Sequence, residues 1–207
     1  MKKTFVLMMV ALASLAASAQ GGFKGFISDM TIDLSVGLSW ARCNKVFSDQ
    51  KLGFTAGLDF TKPISTFHGS PSTLYGLLGF HVVQKGGKIS DNAFDLRDLL
   101  STHIAIPLHV GYRYSFKKCS LFVHAGPYVS FKAGEGSMND SALKSLSSTE
   151  FGLSGDFGIK FRKFQLSYGL DFGLSKLGTA NDAQGKTVNM KSNTGHVKLT
   201  WSFGGGK

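Results

Sequence analysis

The sequence predicts an all-β fold, an eight-stranded antiparallel up-and-down transmembrane β-barrel that is preceded by a cleaved signal peptide. Three observations predict it. Apolar residues alternate with small or polar ones along eight segments, which is the period of a strand with unlike faces. Short turns alternate with long polar connections. Charged residues make up only 17% of the 207 residues, against roughly 25% in an ordinary soluble domain.

Residues 1–19 have the pattern of a secretory signal peptide. Two lysines precede an apolar run, and Ala17-Ser18-Ala19 forms a small-residue cleavage site. The alternative is a retained anchor, but the run is shorter than the roughly 20 residues that a spanning helix needs. Residues 20–207 are therefore predicted to be the barrel domain, and loss of the two lysines lowers the net charge from +10 to +8.

Each of the eight segments is close to the roughly 9–11 residues with which a tilted strand crosses a bilayer. The first two alternate from Ile32 to Trp40 and from Leu52 to Phe60, the third alternates less regularly, and the other five repeat the pattern of the first two. In chain order the predicted strands are residues 31–40, 51–60, 74–84, 103–114, 121–131, 151–161, 166–176 and 195–203.

The connections alternate in length. Only Lys117-Lys118 follows the fourth strand and only Lys163-Phe164 the sixth, whereas long polar links lie near residues 41–50, 85–101, 133–148 and 178–192. This alternation is typical of outer-membrane barrels, whose even strand number places both termini at the short-turn, periplasmic end. The connection 62–72, with Pro63 and Pro71, is longer than this pattern predicts.

One face of the strands carries glycine and serine with isolated charges, which is too small and sparse for a solvated surface. The narrow interior of an eight-stranded barrel gives glycine a steric reason to lie there. We therefore expect the apolar face to contact lipid. The alternative fold is a soluble lipocalin-like barrel with the apolar face inward around a ligand.

The inward face carries the candidate site, a charge network that satisfies the closed lumen. Its predicted members are Asp33, Asp59, Arg113, Asp156, Lys160, Asp171, Lys198, His109 and His124. The turn at Lys117-Lys118 pairs Gly111 with His124, which makes His109 and His124 diagonal neighbours.

The turn after the sixth strand, with Arg162 opposite Gln165, sets Asp156 directly opposite Asp171. Two facing carboxylates need a cation or a proton. Lys160 and Lys198 are the candidate cations.

No catalytic, cofactor or metal site is predicted. Two alternatives stay open: the paired carboxylates as general acid and base, or a metal site that adds His109 and His124. His68, His103 and His196 are expected to be solvated, at a turn and at strand ends. Residues 91–98 lack the glycine and terminal glutamate of a calcium loop, and residues 133–140 lack the ending of a phosphate loop.

The two cysteines are expected to remain unpaired. Cys43 follows the loop end of the first strand, whereas Cys119 opens the fifth strand after a periplasmic turn. These positions differ by about the height of the apolar band of a barrel, on the order of 25 Å. A disulfide needs Cα atoms within about 7 Å.

Several of these segments resemble one known family. Ile106-Pro107-Leu108 within 103–116 and Ala125-Gly126-Pro127-Tyr128 in the next strand are the most specific motifs. They resemble the outer-membrane β-barrel family that includes the PorT-like proteins of Bacteroidota. The resemblance implies an integral eight-stranded barrel in the outer membrane of a Gram-negative bacterium, and for the founding protein of the group a role in export of secreted proteins.

The sequence thus predicts a non-enzymatic, monomeric outer-membrane barrel with a side-chain-filled lumen and a structural, adhesive or protein-export accessory role. Its expected partners are outer-membrane lipid and proteins that bind through the long loops or periplasmic turns. No nucleic acid is expected, because the basic residues form no aromatic-interleaved stripe. The alternatives are a small pore for solutes and a lipid-modifying barrel enzyme.

Overall fold

The computed structural model describes residues 30–43, 49–67, 69–91, 95–135, 143–146, 148–175, 178–181 and 187–203. Their strands are β1 Thr31–Cys43, β2 Asp49–Thr66, β3 Ser72–Asp91, β4 Asp95–Ser115, β5 Cys119–Glu135, β6 Leu143–Leu146, β7 Thr149–Phe161, β8 Phe164–Gly173, β9 Gly178–Asn181, β10 Thr187–Met190 and β11 Ser192–Phe203. Within these ranges no helix is long and apolar enough to cross a membrane.

Eight strands form one closed antiparallel barrel in the order β1-β11-β8-β7-β5-β4-β3-β2. The first strand closes it on the last, with Ile32 opposite Phe203. The start of β1 and the end of β11 therefore lie at one end of the barrel, together with the links 67–71, 116–118 and 162–163. We call this the short-turn end and the opposite one the long-loop end. The eight-stranded fold class is confirmed.

Three long links contain structure that the sequence did not predict. Residues 85–101 were expected to form a polar loop, but β3 and β4 continue as a paired hairpin from Lys85 opposite Ser101 to Asp91 opposite Asp95. The links 133–148 and 178–192 contribute β6, β9 and β10, which pair in a separate three-stranded sheet. Period-two patterning was too weak in these segments to separate a polar strand from a loop.

The long connection 62–72 also has a structural explanation. The second barrel strand continues to Thr66, with a register shift between Pro63 and Ser65 that marks a bulge. The link that remains is 67–71, in which Gly69 adopts a φ of 77°, a conformation that glycine adopts without steric penalty. The connection is therefore a strand extension followed by a short turn, in agreement with the alternation of loop lengths.

The polarity of the barrel is inverted relative to a soluble protein. On β7, Asp156 is 3% exposed while the neighbouring Phe157 is 58% exposed. The same alternation holds along β11, where Lys198 is buried and Leu199 is half exposed. A continuous exposed apolar surface of this kind marks a membrane or protein contact. The lipocalin-like alternative, which needs the apolar face inside, is wrong.

Glycine makes room for the large side chains of the lumen. A Cβ at Gly111 on β4 would overlap the Tyr75 ring of β3. A Cβ at Gly169 on β8 would overlap both His196 and Asp156, whose contact crosses that strand. The predicted steric reason for inward glycine is thus confirmed at these two positions.

Candidate functional site

The centre of the lumen is organised around Asp156 on β7. His196 Nε2 lies 2.7 Å from its Oδ1, and Lys198 Nζ lies 3.0 Å from the same oxygen. His124 Nε2 lies 3.7 Å from its Oδ2. All four side chains are buried, and a buried carboxylate requires such cationic and hydrogen-bonding partners. Lys198 supplies the positive charge that a buried carboxylate at this position needs.

The two histidines continue the network away from Asp156. His109 Nδ1 and His124 Nδ1 are 3.1 Å apart, and His109 Nε2 lies 2.6 Å from Ser154 Oγ. When both imidazoles are neutral, one arrangement of the ring protons is consistent with both hydrogen bonds. Ser154 then donates to His109 Nε2, His109 donates through Nδ1 to His124, and the His124 Nε2–H points at the carboxylate. The expected proximity of His109 and His124 is confirmed, as is the pairing of Gly111 with His124.

The expected pairing of Asp156 with Asp171 is wrong. Asp156 is opposite Gly169, and Asp171 is opposite Ser154. The turn is Arg162-Lys163, with Arg162 at a φ of 54°, rather than Lys163-Phe164. Neither pair contains the glycine or asparagine that normally fixes a two-residue hairpin turn. The shift of two residues keeps both carboxylates inside and changes only their partners.

Asp171 lies at the edge of this central cluster, with its Oδ2 3.9 Å from His196 Nδ1. Lys160, the second candidate cation, does not reach either carboxylate. Its ammonium donates instead to Ser202 Oγ at 2.6 Å. Only one of the two lysines therefore joins the centre of the network.

The remaining predicted members lie elsewhere in the lumen. Asp59 Oδ1 is 2.7 Å from His81 Nε2. Asp33 Oδ2 accepts a hydrogen bond from Thr61 at 3.2 Å, and the Arg113 guanidinium lies 5.0 Å from the centre of the Tyr75 ring. The nine residues named from the sequence thus divide among a central cluster, the Asp59–His81 pair and groups nearer the short-turn end.

A second buried cluster, toward the long-loop end, was not predicted. Lys85 Nζ donates to Glu150 Oε1 at 3.0 Å, and their side chains are 2% and 1% exposed. The Tyr128 hydroxyl donates to the same oxygen, and the Lys85 ammonium lies 5.0 Å from the centre of the Tyr128 ring. Because side chains alternate along a strand, the inward glycines Gly79 and Gly152 place Lys85 and Glu150 inside once their strands are extended.

Two further histidines contradict the expectation of solvated side chains. His103 is 2% exposed and His196 is 5% exposed, because β4 begins before residue 103 and β11 before residue 196. His103 contacts Ser101 Oγ at 2.9 Å, and His196 belongs to the central cluster. His68 lies outside the described residues. His81 was not predicted, although it lies two residues after the inward Gly79 and therefore on the same face of the strand.

Three of these residues could hold a metal ion. One ligand atom from each of His109, His124 and Asp156 lies within 4.8 Å of the others. The donor types suit zinc or a similar transition metal. Ring nitrogens of both histidines nevertheless already take part in the Ser154–His109–His124 hydrogen bonds, and Lys198 already balances the carboxylate charge. The arrangement is therefore complete as a polar network of side chains.

The side chains of the central cluster border a small cavity. A cavity of about 20 Å³ remains, lined by residues of the central cluster together with Tyr128 and Pro107, which is space for about one water molecule. Cys119 at the short-turn end is a free, half-buried thiol, as expected. The side chain of Cys43 lies outside the described side chains, but its backbone is at the long-loop end, opposite Ser192.

A closed antiparallel barrel with a charged interior and an apolar exterior is an integral outer-membrane β-barrel. The chain belongs to the family of outer membrane protein beta-barrel domains, which it matches over residues 14–178. Membership in this family places it in the outer membrane of a Gram-negative bacterium.

Solved structures with a similar fold include Neisserial surface protein A (NspA), which is 13% identical, with a TM-score of 0.49 over 85% of this chain and 98% of that chain. The outer membrane enzyme PagL is 14% identical, with a TM-score of 0.48 over 82% and 98%. OprG from Pseudomonas aeruginosa is 10% identical, with a TM-score of 0.47 over 86% and 97%. At these identities the likeness concerns the fold alone. A search of curated proteins returned no match.

Proposed function

We propose that this protein is a non-enzymatic, monomeric outer-membrane barrel with a closed lumen and a structural, adhesive or protein-export accessory role. The observation that carries the proposal is the filling of the lumen at two heights by buried ion pairs. Lys85 and Glu150 pair toward the long-loop end, and Asp156 and Lys198 pair at the centre. A solute would have to break both pairs to pass.

The interior position of the histidines also supports a non-enzymatic role. Ser154 and His109 are 6% and 3% exposed inside the lumen. A serine–histidine pair that acts on lipid has to face the bilayer or its headgroups, because nucleophile and substrate must come within bonding reach. The lipid-facing side of the described barrel strands is instead dominated by aliphatic and aromatic side chains. Partners would then bind through the long loops or the periplasmic turns.

Membership in the PorT-like group of Bacteroidota is part of this proposal. The two motifs that carry the resemblance lie on adjacent strands, and Pro107 of the first is the direct partner of Tyr128 of the second. Both residues line the central cavity. The motifs are thus one structural unit of the lumen wall, which favours a shared subfamily over two chance matches.

The closed lumen predicts that the purified barrel does not conduct ions. In planar bilayers at high salt we expect no single-channel steps above the leak of the bare membrane. Heat-dependent gel migration of the same preparation is the control that the barrel is folded. Steady, reproducible conductance steps would favour the small-pore alternative and contradict a closed lumen.

Cleavage after Ala19 is a separate expectation, because residues 1–19 lie outside the described residues. We expect the intact mass of the protein isolated from outer membranes to match a chain that begins at Gln20. The basic, apolar and small-residue regions occur in the order that signal peptidase requires. A mature protein that retains Met1 to Ala19 would show that the segment is an anchor.

A further inference from the structure

The lumen opens at the short-turn end into a strongly basic recess of about 410 Å³. It lies between the β4–β5 turn and the β7–β8 turn. Five of the nine residues that line it are cationic, and none of the nine carries a carboxylate. The cationic residues are Arg113, Lys117, Lys118, Lys160 and Arg162. We call this cavity the basic vestibule.

The two deeper cations of the vestibule have only uncharged hydrogen-bond or ring partners in the described part of the chain. Lys160 donates to the Ser202 hydroxyl. Arg113 lies over the Tyr75 ring, and its Nε is buried with no hydrogen-bond partner. An unsatisfied buried guanidinium nitrogen is costly, and like charges gathered in one concavity repel each other and attract anions. Asp33, which does not line the vestibule, acts electrostatically on Lys160, and one carboxylate leaves a clear excess of positive charge among the five cations.

The hairpins hold these charges at one place. Lys117 and Lys118 form the turn between β4 and β5, where the Phe116 amide bonds the Cys119 carbonyl at 2.7 Å. Arg162 begins the next hairpin turn in a left-handed conformation. The paired strands fix both backbones, so the cations converge on the cavity from two sides.

We infer that the basic vestibule binds phosphate-type oxyanions. Guanidinium groups match the tetrahedral oxygens of phosphate bidentately, and ammonium groups add point charges. A ligand with a single carboxylate would neutralise only one of the five positive charges, whereas a phosphate-type ligand can carry more negative charge. The volume of the vestibule accommodates a diphosphate or a phospholipid headgroup. The vestibule is separate from the two buried ion pairs that close the lumen, because no residue of either pair lines it.

Cys119 provides a direct probe, because this free thiol lines the vestibule. In a Cys43→Ala background, the rate at which Cys119 is modified can be measured with an anionic and with a cationic methanethiosulfonate. Each rate is then divided by the rate of the same reagent on the unfolded chain. We expect the anionic reagent to react about tenfold faster or more, the scale on which charged clefts concentrate counter-ions.

Arg162→Gln is expected to lower this preference several-fold. Lys163→Gln is the matched control, because Lys163 is the next residue of the same turn and does not line the vestibule. An equal effect of both variants, or equal rates for the two reagents in the parent, would overturn the proposal. Heat-dependent gel migration confirms that each variant is folded.

Occupancy is tested by protection of Cys119 from neutral N-ethylmaleimide. One arm adds inorganic pyrophosphate to the barrel in phosphatidylcholine nanodiscs, and the other uses phosphatidylglycerol nanodiscs without pyrophosphate. Protection in the first arm identifies a soluble phosphorylated ligand and in the second a lipid headgroup, and both are expected to disappear in Lys117→Gln/Lys118→Gln. Absence of protection in both arms, or its persistence in the double variant, would contradict an oxyanion site.

Discussion

Replacing Asp156 by asparagine is expected to destabilise the folded barrel by about 3–5 kcal/mol, the usual cost of removing one partner from a buried ion pair. The substitution keeps the shape of the side chain but leaves the ammonium of Lys198, 3.0 Å away, without its counter-charge. The hydrogen bond from His196 at 2.7 Å also loses a charged acceptor. Urea unfolding in detergent micelles, followed by gel migration, measures the loss.

Two further variants separate this effect from general disturbance of the lumen. Asp171→Asn is the control, because the contact of Asp171 with the His196 imidazole is longer, at 3.9 Å, and we expect a clearly smaller loss. In Asp156→Asn/Lys198→Met both charges are removed, so most of the stability should return. A double variant no more stable than Asp156→Asn, or an unchanged transition in that single variant, would contradict the assigned role of the pair.

Which residues lie inside the barrel could be predicted because the in-out alternation of a strand does not depend on register. Asp156, Asp171 and Lys198 are inside as expected, although the partner of Asp156 was wrong. Register comes from the turn, and Arg162-Lys163-Phe164 contains no residue that favours one two-residue turn over the other. Local periodicity therefore predicts faces better than it predicts contacts.

Contacts across the lumen depend on closure and stagger of the whole barrel, which no single segment encodes. Lys198 and His196 on β11 reach Asp156 on β7 across β8, where Gly169 leaves the space. Polar strand extensions were missed for a different reason. Where β3 and β4 continue beyond the predicted segments, their sequence resembles a hydrophilic loop, so Lys85 and its surroundings were assigned to a link.

The pair that was missed gives the second large effect. Lys85→Met is expected to destabilise the barrel by about 3–5 kcal/mol, because Glu150 then remains buried without a cation. Its side chain is 1% exposed, and its Oε2 already has no hydrogen-bond partner. The Tyr128 hydroxyl still donates to Oε1, but a single neutral donor does not replace an ammonium group. The same urea titration measures the change.

Lys85→Met/Glu150→Met tests whether the charges or the volumes of this pair stabilise the barrel. Buried ion pairs replaced by apolar residues of similar volume are often as stable as the original or more so. We therefore expect the double variant to unfold at a urea concentration equal to or above that of the parent, while either single variant unfolds earlier. A double variant as unstable as Lys85→Met would show that the position requires charge. Planar bilayers then distinguish the basis of closure: if the stable double variant remains non-conducting, the lumen is closed by packed volume, and the ion pair is one of several side-chain sets that could fill it.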